Sequence, residues 1–204
     1  MRMTSDHCVL GAYASGSMVA SVVIRPRWEG PRLDLLCVLL DVRRESGPDF
    51  VRRLGIDLET PSCALGAAMR VHGVFDVSDP AGGEHLRRAL IRDRRLARLA
   101  RGRLRADVIV AGERDRSDGV PAVPRAQLLV PLLEAVTQQR LVIEAASALL
   151  RELAAQLKSA TAKPPKLEDG AAGEDLVRAL AVAVFLPDTM AAGSSGGVVS
   201  LRAY

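Results

Sequence analysis

Three short apolar runs near the start of the chain constrain the fold more than any other feature of the sequence. The first two flank the small residues ASGS within CVLGAYASGSMVASVVIR (residues 8–25), which predicts a strand, a tight turn and a second strand. After a predicted loop, RWEGPR (residues 27–32), the continuous apolar run LDLLCVLLDV (residues 33–42) is typical of a buried strand. The chain is therefore expected to begin with three strands in an antiparallel meander.

Helices and strands alternate after this meander. The predicted elements are, in order, a helix at 46–58, a strand at 69–77, a helix at 84–102, a strand at 106–112, a helix at 123–139, a short extended piece at 140–144, and helices at 145–160 and 172–185. This order predicts an α/β fold in which a mixed β-sheet of antiparallel and parallel strands is flanked by helices. An RNase H-like sheet has this order of elements, and so do some other mixed folds.

The composition suits one globular domain. The chain has 204 residues, of which 49% are hydrophobic and 3% aromatic. A core of Leu, Val, Ile and Ala is therefore expected, and a base-stacking surface of exposed aromatic rings is disfavoured. Residues 1–188 are predicted to form a single RNase H-like domain, and residues 189–204, which include GSSGG, a flexible C-terminal tail.

Charge and cysteine content bear on the partners and the compartment. The formal net charge is +4 and the basic residues are almost all Arg, which indicates either phosphate contacts or a GC-rich genome. The three cysteines are far apart and show no CxxC spacing, as expected in a reducing compartment without a zinc site. Because the sequence shows no signal peptide and no apolar run long enough to span a bilayer, we expect a cytoplasmic protein without a membrane partner.

Carboxylates at the ends of predicted elements are the main candidates for chemistry. The sequence has no GxxxxGK[ST], no GxSxG and no HExxH. Asp76 closes the strand predicted at 69–77, and Glu174 with Asp175 begins the last predicted helix. Such carboxylates suit a pair of Mg²⁺ ions that cleave a phosphodiester. The alternative is structural, because acidic residues are common at strand ends and are favoured by the dipole at helix N-termini.

Three segments, taken in order, resemble the nuclease domain of tailed-phage terminase large subunits, the motor proteins of DNA packaging. VFDVSDPAGGEHLRRAL (residues 74–90) is similar to that family's strand VVDATGVG and the helix after it. Residues 118–157 contain VPRAQLL, RLVIE and LLREL, which are similar to its W-x-V-P-K-x-x-L helix, GRLKI strand and LxxEL helix. GEDLVRALAVAVF (residues 173–185) is similar to HDDLVLALALA. The resemblance covers residues 70–186, and the order and spacing of the segments carry it.

The resemblance implies an RNase H-like fold and DNA cleavage with two divalent ions, Mg²⁺ or Mn²⁺. In that family the acidic ligands lie on the first strand, on the fourth strand and at the last helix. Asp76 matches the fourth-strand acid, and Glu174 and Asp175 match the acidic pair of the last helix. The first-strand acid has no counterpart, because VLGAYASG has Tyr13 or a small neighbour in its place.

These observations support two nucleic-acid hypotheses and one without nucleic acid. The first is a metal-dependent nuclease domain acting on double-stranded DNA in phage DNA packaging, with a separate packaging ATPase or another phage protein as partner. Its catalytic metal ligands would be Asp76, Glu174 and Asp175.

The second hypothesis is a catalytically degenerate RNase H-like domain that binds DNA or a protein. Its candidate DNA contacts lie in the Arg-rich run at 87–105 and are Arg87, Arg88, Arg94, Arg95, Arg98 and Arg101. The alternative for this run is a solvated helix face. The third hypothesis is a dimeric structural protein that pairs through the Leu-rich helices at 124–157, although these helices are also suited to covering the sheet.

Overall fold

The structure, a computed structural model, describes residues 6–29, 34–93, 104–111, 122–144, 147–162 and 174–191. These residues form seven strands: β1 His7–Ser15, β2 Met18–Glu29, β3 Asp34–Ser46, β4 Arg70–Asp76, β5 Leu104–Ala111, β6 Ala122–Val123 and β7 Leu141–Ile143. They also form six helices: α1 Gly47–Glu59, α2 Ala64–Ala67, α3 Pro80–Arg92, α4 Arg125–Thr137, α5 Leu150–Ala162 and α6 Asp175–Ala191. Over these ranges, none of the helices combines the length and apolar character needed to cross a membrane.

The strands form one mixed sheet in the order β6-β5-β4-β1-β2-β3-β7. The predicted meander is confirmed, because β2 is antiparallel to both β1 and β3. The remaining pairs, β1 with β4, β4 with β5, β5 with β6 and β3 with β7, are parallel. The parallel register of β1 and β4 pairs Tyr13 with Asp76, so the carboxyl ends of these two central strands meet at one edge of the sheet.

Helices cover both faces of the sheet, so the predicted α/β architecture is confirmed. Successive residues of β1 point to opposite faces. Val9 and Tyr13 lie in the core beneath α4, α5 and α6, whereas Leu10 lies in the core beneath α1, α2 and α3. Leu132 of α4 and Leu153 of α5 are buried in the first of these cores, so the Leu-rich helices predicted at 124–157 cover the sheet.

The last helix, α6, is the central helix of the domain. Every residue from Leu176 to Leu186 is buried, and the helix packs across β1, β2 and β4. Its backbone approaches β1 closely because Gly11 has no side chain. A Cβ atom at Gly11 would collide with the carbonyl oxygen of Ala179 and would lie 2.7 Å from the backbone nitrogen of Ala183. The small residues of both elements therefore set the height of α6 above the sheet.

Two predicted boundaries in the first half of the chain are wrong. Residues 27–29, predicted as a loop, continue β2 because its ladder with β3 extends to the pair of Glu29 with Asp34. The helix predicted at 84–102 begins at Pro80, because the Asp79 carboxylate accepts the Gly82 N–H at 2.6 Å and caps α3. This helix ends at Arg92, and residues 94–103 lie outside the described part of the chain.

Boundaries in the second half also differ. The helix predicted at 145–160 begins at Leu150, because the Ser147 hydroxyl donates to the Val42 carbonyl and holds residues 147–149 in a turn against β3. The last helix continues to Ala191, past the predicted end at 185 and past residue 189, where the tail was predicted to begin; residues 192–204 lie outside the described ranges. The short elements α2 and β6 were not predicted, because four and two residues are too few to show a periodicity.

The close approach at Gly11 leads to a stability prediction. Replacing Gly11 with Ala should lower the free energy of unfolding by about 1–3 kcal/mol, because the added methyl group displaces α6 from the sheet. Urea denaturation of the two proteins measures the difference. Gly47→Ala is the matched control, because a Cβ atom there meets nothing within 4 Å, and the change should stay below about 1 kcal/mol. Equal stability of Gly11→Ala and wild type would contradict the close packing.

Candidate functional site

Two adjacent strands place Tyr13 and Asp76 side by side beneath the start of α6. The two residues are register partners near the carboxyl ends of β1 and β4. Asp76 is only 1% exposed, and its Oδ1 accepts the backbone N–H of Ser78 at 2.9 Å. Tyr13 is 4% exposed and belongs to the core that α6 covers. The fourth-strand carboxylate is therefore a buried group with a phenol, not a second carboxylate, on the neighbouring strand.

The first turn of α6 brings a cation to this pair. Arg178 is 8% exposed, and its guanidinium carbon lies 4.7 Å from the centroid of the Tyr13 ring, which is a cation–π contact. Burial raises the pKa of Tyr13, Arg178 opposes that shift, and the nearby carboxylates of Asp76 and Asp79 add to it. The backbone N–H of Arg178 donates to the carbonyl of Glu174 at 2.9 Å, so their side chains leave the same face of the helix.

A second guanidinium belongs to the same place. Arg125 is the first residue of α4, and its pKa is lowered by partial burial and by the positive charge of Arg178. Asp76, Tyr13 and Glu174 act on the pKa of Arg125 in the opposite direction, so all four groups lie within its electrostatic reach. We call the group of Tyr13, Asp76, Arg125, Glu174 and Arg178 the Asp76 notch.

The helix that covers the Asp76 notch contributes buried polar atoms that are not hydrogen-bonded. Nη2 of Arg178 and Oε2 of Glu174 are both buried, and neither atom has a hydrogen-bond partner among the described residues. An unpaired buried donor and an unpaired buried acceptor both cost free energy, on the order of 1–3 kcal/mol each. The notch is therefore a polar site whose hydrogen-bonding capacity is incompletely used by the described part of the protein.

Asp175 has a different environment from Asp76. Both of its carboxylate oxygens accept hydrogen bonds from Arg44 of β3, at 2.6 and 2.8 Å, and Arg44 also binds Glu152 of α5. Hydrogen bonds to Asp175 and Glu152 raise the pKa of Arg44 above its ordinary value. Burial alone would raise the pKa of Asp175, but hydrogen bonds from Arg44 and Gln156 outweigh it and lower the pKa. The charge of Asp175 is thus neutralised by a bidentate ion pair.

Gln156 completes this network and caps α6. Its Oε1 accepts the backbone N–H groups of Leu176 and Val177, and its Nε2 donates to Asp175 and Glu152. Sequence reasoning missed Gln156 and Arg44. One signal was available, because Gln156 occupies a position on the apolar stripe of its helix, three residues after Leu153, and is 7% exposed. Nothing in the sequence paired Arg44 with a residue 131 positions later.

The described residues do not fit a two-metal centre. Such a centre needs several carboxylates converging on the ions. The structure brings Asp76 and Glu174 to one notch, but two guanidinium groups share it, and Asp175 is hydrogen-bonded to Arg44. Over the described ranges, no group of three or more His, Cys, Asp and Glu side chains is arranged to hold a metal ion. Two guanidinium groups therefore stand beside the carboxylates that the sequence resemblance implies as metal ligands.

Two of the six arginines predicted to contact DNA, Arg87 and Arg88, lie among the described residues, and both are away from the Asp76 notch. Arg87 and Arg88 are on α3, which covers the opposite face of the sheet, and each forms an ion pair with Glu84. The other four predicted contacts, Arg94, Arg95, Arg98 and Arg101, lie outside the described residues. The sheet therefore separates Arg87 and Arg88 from the notch.

The mixed sheet has this strand order, and helices cover both of its faces. Asp76 is buried at the end of β4, beside the last helix. Together these features are those of an RNase H-like fold. The structure is similar to the human cytomegalovirus terminase nuclease domain, Mn soaked, at a TM-score of 0.56 and 10% identity over 93% of this chain and 91% of that chain. A second structure of that domain gives a TM-score of 0.55 at 8% identity, over 91% of this chain and 85% of that chain.

A Thermus thermophilus RuvC structure also aligns, over 95% of this chain and 99% of that chain, at 14% identity and a TM-score of 0.45, too low to add to the fold assignment. No protein-family model matches the sequence, and no curated protein does. The RNase H-like fold and the resemblance to a terminase nuclease domain, both predicted from sequence segments, are thus confirmed at the level of structure.

The Asp175 network predicts a pH-dependent contribution to stability. The folded-state pKa of Asp175 is below its ordinary value of 3.8, so the contribution is present above about pH 4 and is lost as the pH falls through the folded-state pKa. Asp175→Asn should lower the free energy of unfolding by about 1–3 kcal/mol at pH 7. Urea denaturation should show the difference from wild type shrinking as the pH falls below about 4.

Asp49→Asn is the matched control, because Asp49 also begins a helix but is exposed on α1, where water screens its ion pair with Arg52. Its effect at neutral pH should be smaller. A loss for Asp175→Asn that is unchanged in acid would show that the ion pair is not the source of the stability.

Proposed function

We propose that the chain is a catalytically degenerate RNase H-like domain that binds double-stranded DNA. The observation that carries this proposal is the guanidinium of Arg178, 4.7 Å from the centroid of the Tyr13 ring. Tyr13 lies on the first strand, where the resembled family has an acidic metal ligand. A phenol and a guanidinium supply no negative charge, and the positive charge of Arg178 repels a divalent cation.

DNA is proposed as the partner on two grounds. The chain carries a net charge of +4, and its basic residues are almost all arginine. Arginine is the side chain best matched to phosphate oxygens. Its fold is also that of a terminase nuclease domain, an enzyme class that acts on nucleic acid. The sequence segments shared with phage terminases extend the proposal to DNA packaging in the cytoplasm, with a separate packaging ATPase or another phage protein as partner.

DNA binding should be strong at low salt and should weaken as salt rises. Each phosphate contact contributes about 0.9 to the slope of log affinity against log salt. Fluorescence anisotropy with a labelled duplex, at several salt concentrations, measures this slope. Arg87→Ala with Arg88→Ala should reduce it if the exposed face of α3 contributes. An absence of binding, or binding that does not respond to salt, would contradict a DNA-binding role.

A second candidate function is metal-dependent DNA cleavage, with Mg²⁺ or Mn²⁺ held by Asp76 and Glu174. The observation in its favour is the buried Oε2 atom of Glu174, which has no hydrogen-bond partner among the described residues. A carboxylate oxygen in this state is suited to a cation. Asp175 could join these ligands only by giving up its bonds to Arg44.

A plasmid-nicking assay separates the two candidates. We expect the purified protein to leave a supercoiled plasmid intact in Mn²⁺, because the two arginines of the Asp76 notch oppose a metal ion. Asp76→Ala is the control for contaminating nuclease. Cleavage by the wild type that Asp76→Ala abolishes would overturn the degenerate reading in favour of the second candidate.

A further inference from the structure

The unsatisfied donor of Arg178 points to a ligand. Arg178 is only 8% exposed, and its Nη2 has no acceptor among the described residues. Guanidinium groups in protein interiors ordinarily use their N–H donors on carboxylate, phosphate or carbonyl oxygens. The Tyr13 side chain lies against the guanidinium, and this contact leaves Nη2 without an acceptor.

Arg125 makes the same notch more electropositive. Its pKa is lowered in part by Arg178, so two guanidinium groups lie close enough to repel each other. An oxyanion placed between two such groups removes the repulsion and accepts charge-assisted hydrogen bonds from both. Arg125 is also more exposed than Arg178, so it is the more accessible of the two guanidinium groups.

We propose that the Asp76 notch binds one phosphate group of a nucleic acid backbone between Arg178 and Arg125. The inference rests on the proposed function, because DNA supplies the phosphodiester. In this arrangement arginine, not metal, neutralises the phosphate at the place where the resembled nucleases bind their ions. Guanidinium groups position the phosphate, but unlike a bound metal ion they do not lower the pKa of a water molecule.

The negative charges of the notch carboxylates repel a bound phosphate, and this repulsion makes the proposal testable. Asp76 already accepts the Ser78 N–H at 2.9 Å, which delocalises part of its charge. Glu174 has one buried oxygen with no such bond, so its charge opposes a bound phosphate. Removing that charge should therefore tighten phosphate binding, whereas it would weaken the binding of a metal ion. The sign of this effect separates an anion site from a cation site.

The test compares three variants by fluorescence anisotropy with a labelled duplex, each checked by thermal unfolding. Arg178→Met should weaken DNA binding about fivefold or more at low salt and reduce the salt slope by about 0.9, the value for one phosphate contact. Glu174→Gln should tighten binding several-fold. Arg52→Met is the matched control, because it removes the same charge from an exposed site on α1 and should leave the affinity nearly unchanged. If Arg178→Met does not fold, Arg178→Lys replaces it and should weaken binding by losing the two-pronged donor geometry.

Inorganic phosphate is the second probe, measured by isothermal titration calorimetry with wild type and Arg178→Met. DNA binding that both Arg178→Met and Glu174→Gln leave unchanged would overturn the notch as the phosphate site while the DNA-binding function stands. The wild type could instead bind inorganic phosphate but no duplex, with Arg178→Met abolishing the phosphate binding. That result would show an anion site for free phosphate and would overturn the proposal that the ligand is nucleic acid. Weaker DNA binding by Glu174→Gln would indicate a cation at the notch and overturn the inference.

Discussion

The contact between α6 and β1 is the constraint on which the rest of the structure depends. Gly11 leaves room for the backbone of α6 at Ala179 and Ala183, so a helix that is buried from Leu176 to Leu186 lies directly on the central strand. Because this approach fixes the height of the helix, it also fixes where Arg178 meets the Tyr13 ring. The same contact thus determines both the packing of the core and the chemistry at the edge of the sheet.

The chemistry at that edge is decided by charge. In a two-metal nuclease site, converging carboxylates are tolerated because metal ions neutralise them. Here Asp76 and Glu174 share their notch with Arg125 and Arg178, so protein cations supply the counter-charge. Arginine stays protonated and cannot leave the site. The described residues of the notch therefore set two carboxylates against two guanidinium groups within the protein itself.

Two acidic residues that are adjacent in sequence need not act together. The hydrogen-bond network around Asp175 shows this, and its other members are Arg44, Glu152 and Gln156. Glu174 and Asp175 are adjacent, but Asp175 is held by Arg44 while Glu174 contributes to the Asp76 notch. Gln156 caps the helix that begins at Asp175. The fold class and the order of elements along the chain were predictable, because apolar periodicity and turn residues are local signals. The partners of Asp175 were not, since Arg44 and Gln156 reach it only after the chain has folded.

The sequence by itself determined the longer elements, the mixed sheet and the candidate acids, because these follow from patterns within a few residues of each other. It also determined that the first strand lacks an acid at the position of Tyr13. Only the tertiary structure decided which charges meet. The β1–β4 register set Tyr13 beside Asp76, and the close approach of α6 brought Arg178 onto the ring. Electrostatic interactions depend on distance and burial, and neither quantity exists until strands and helices have packed.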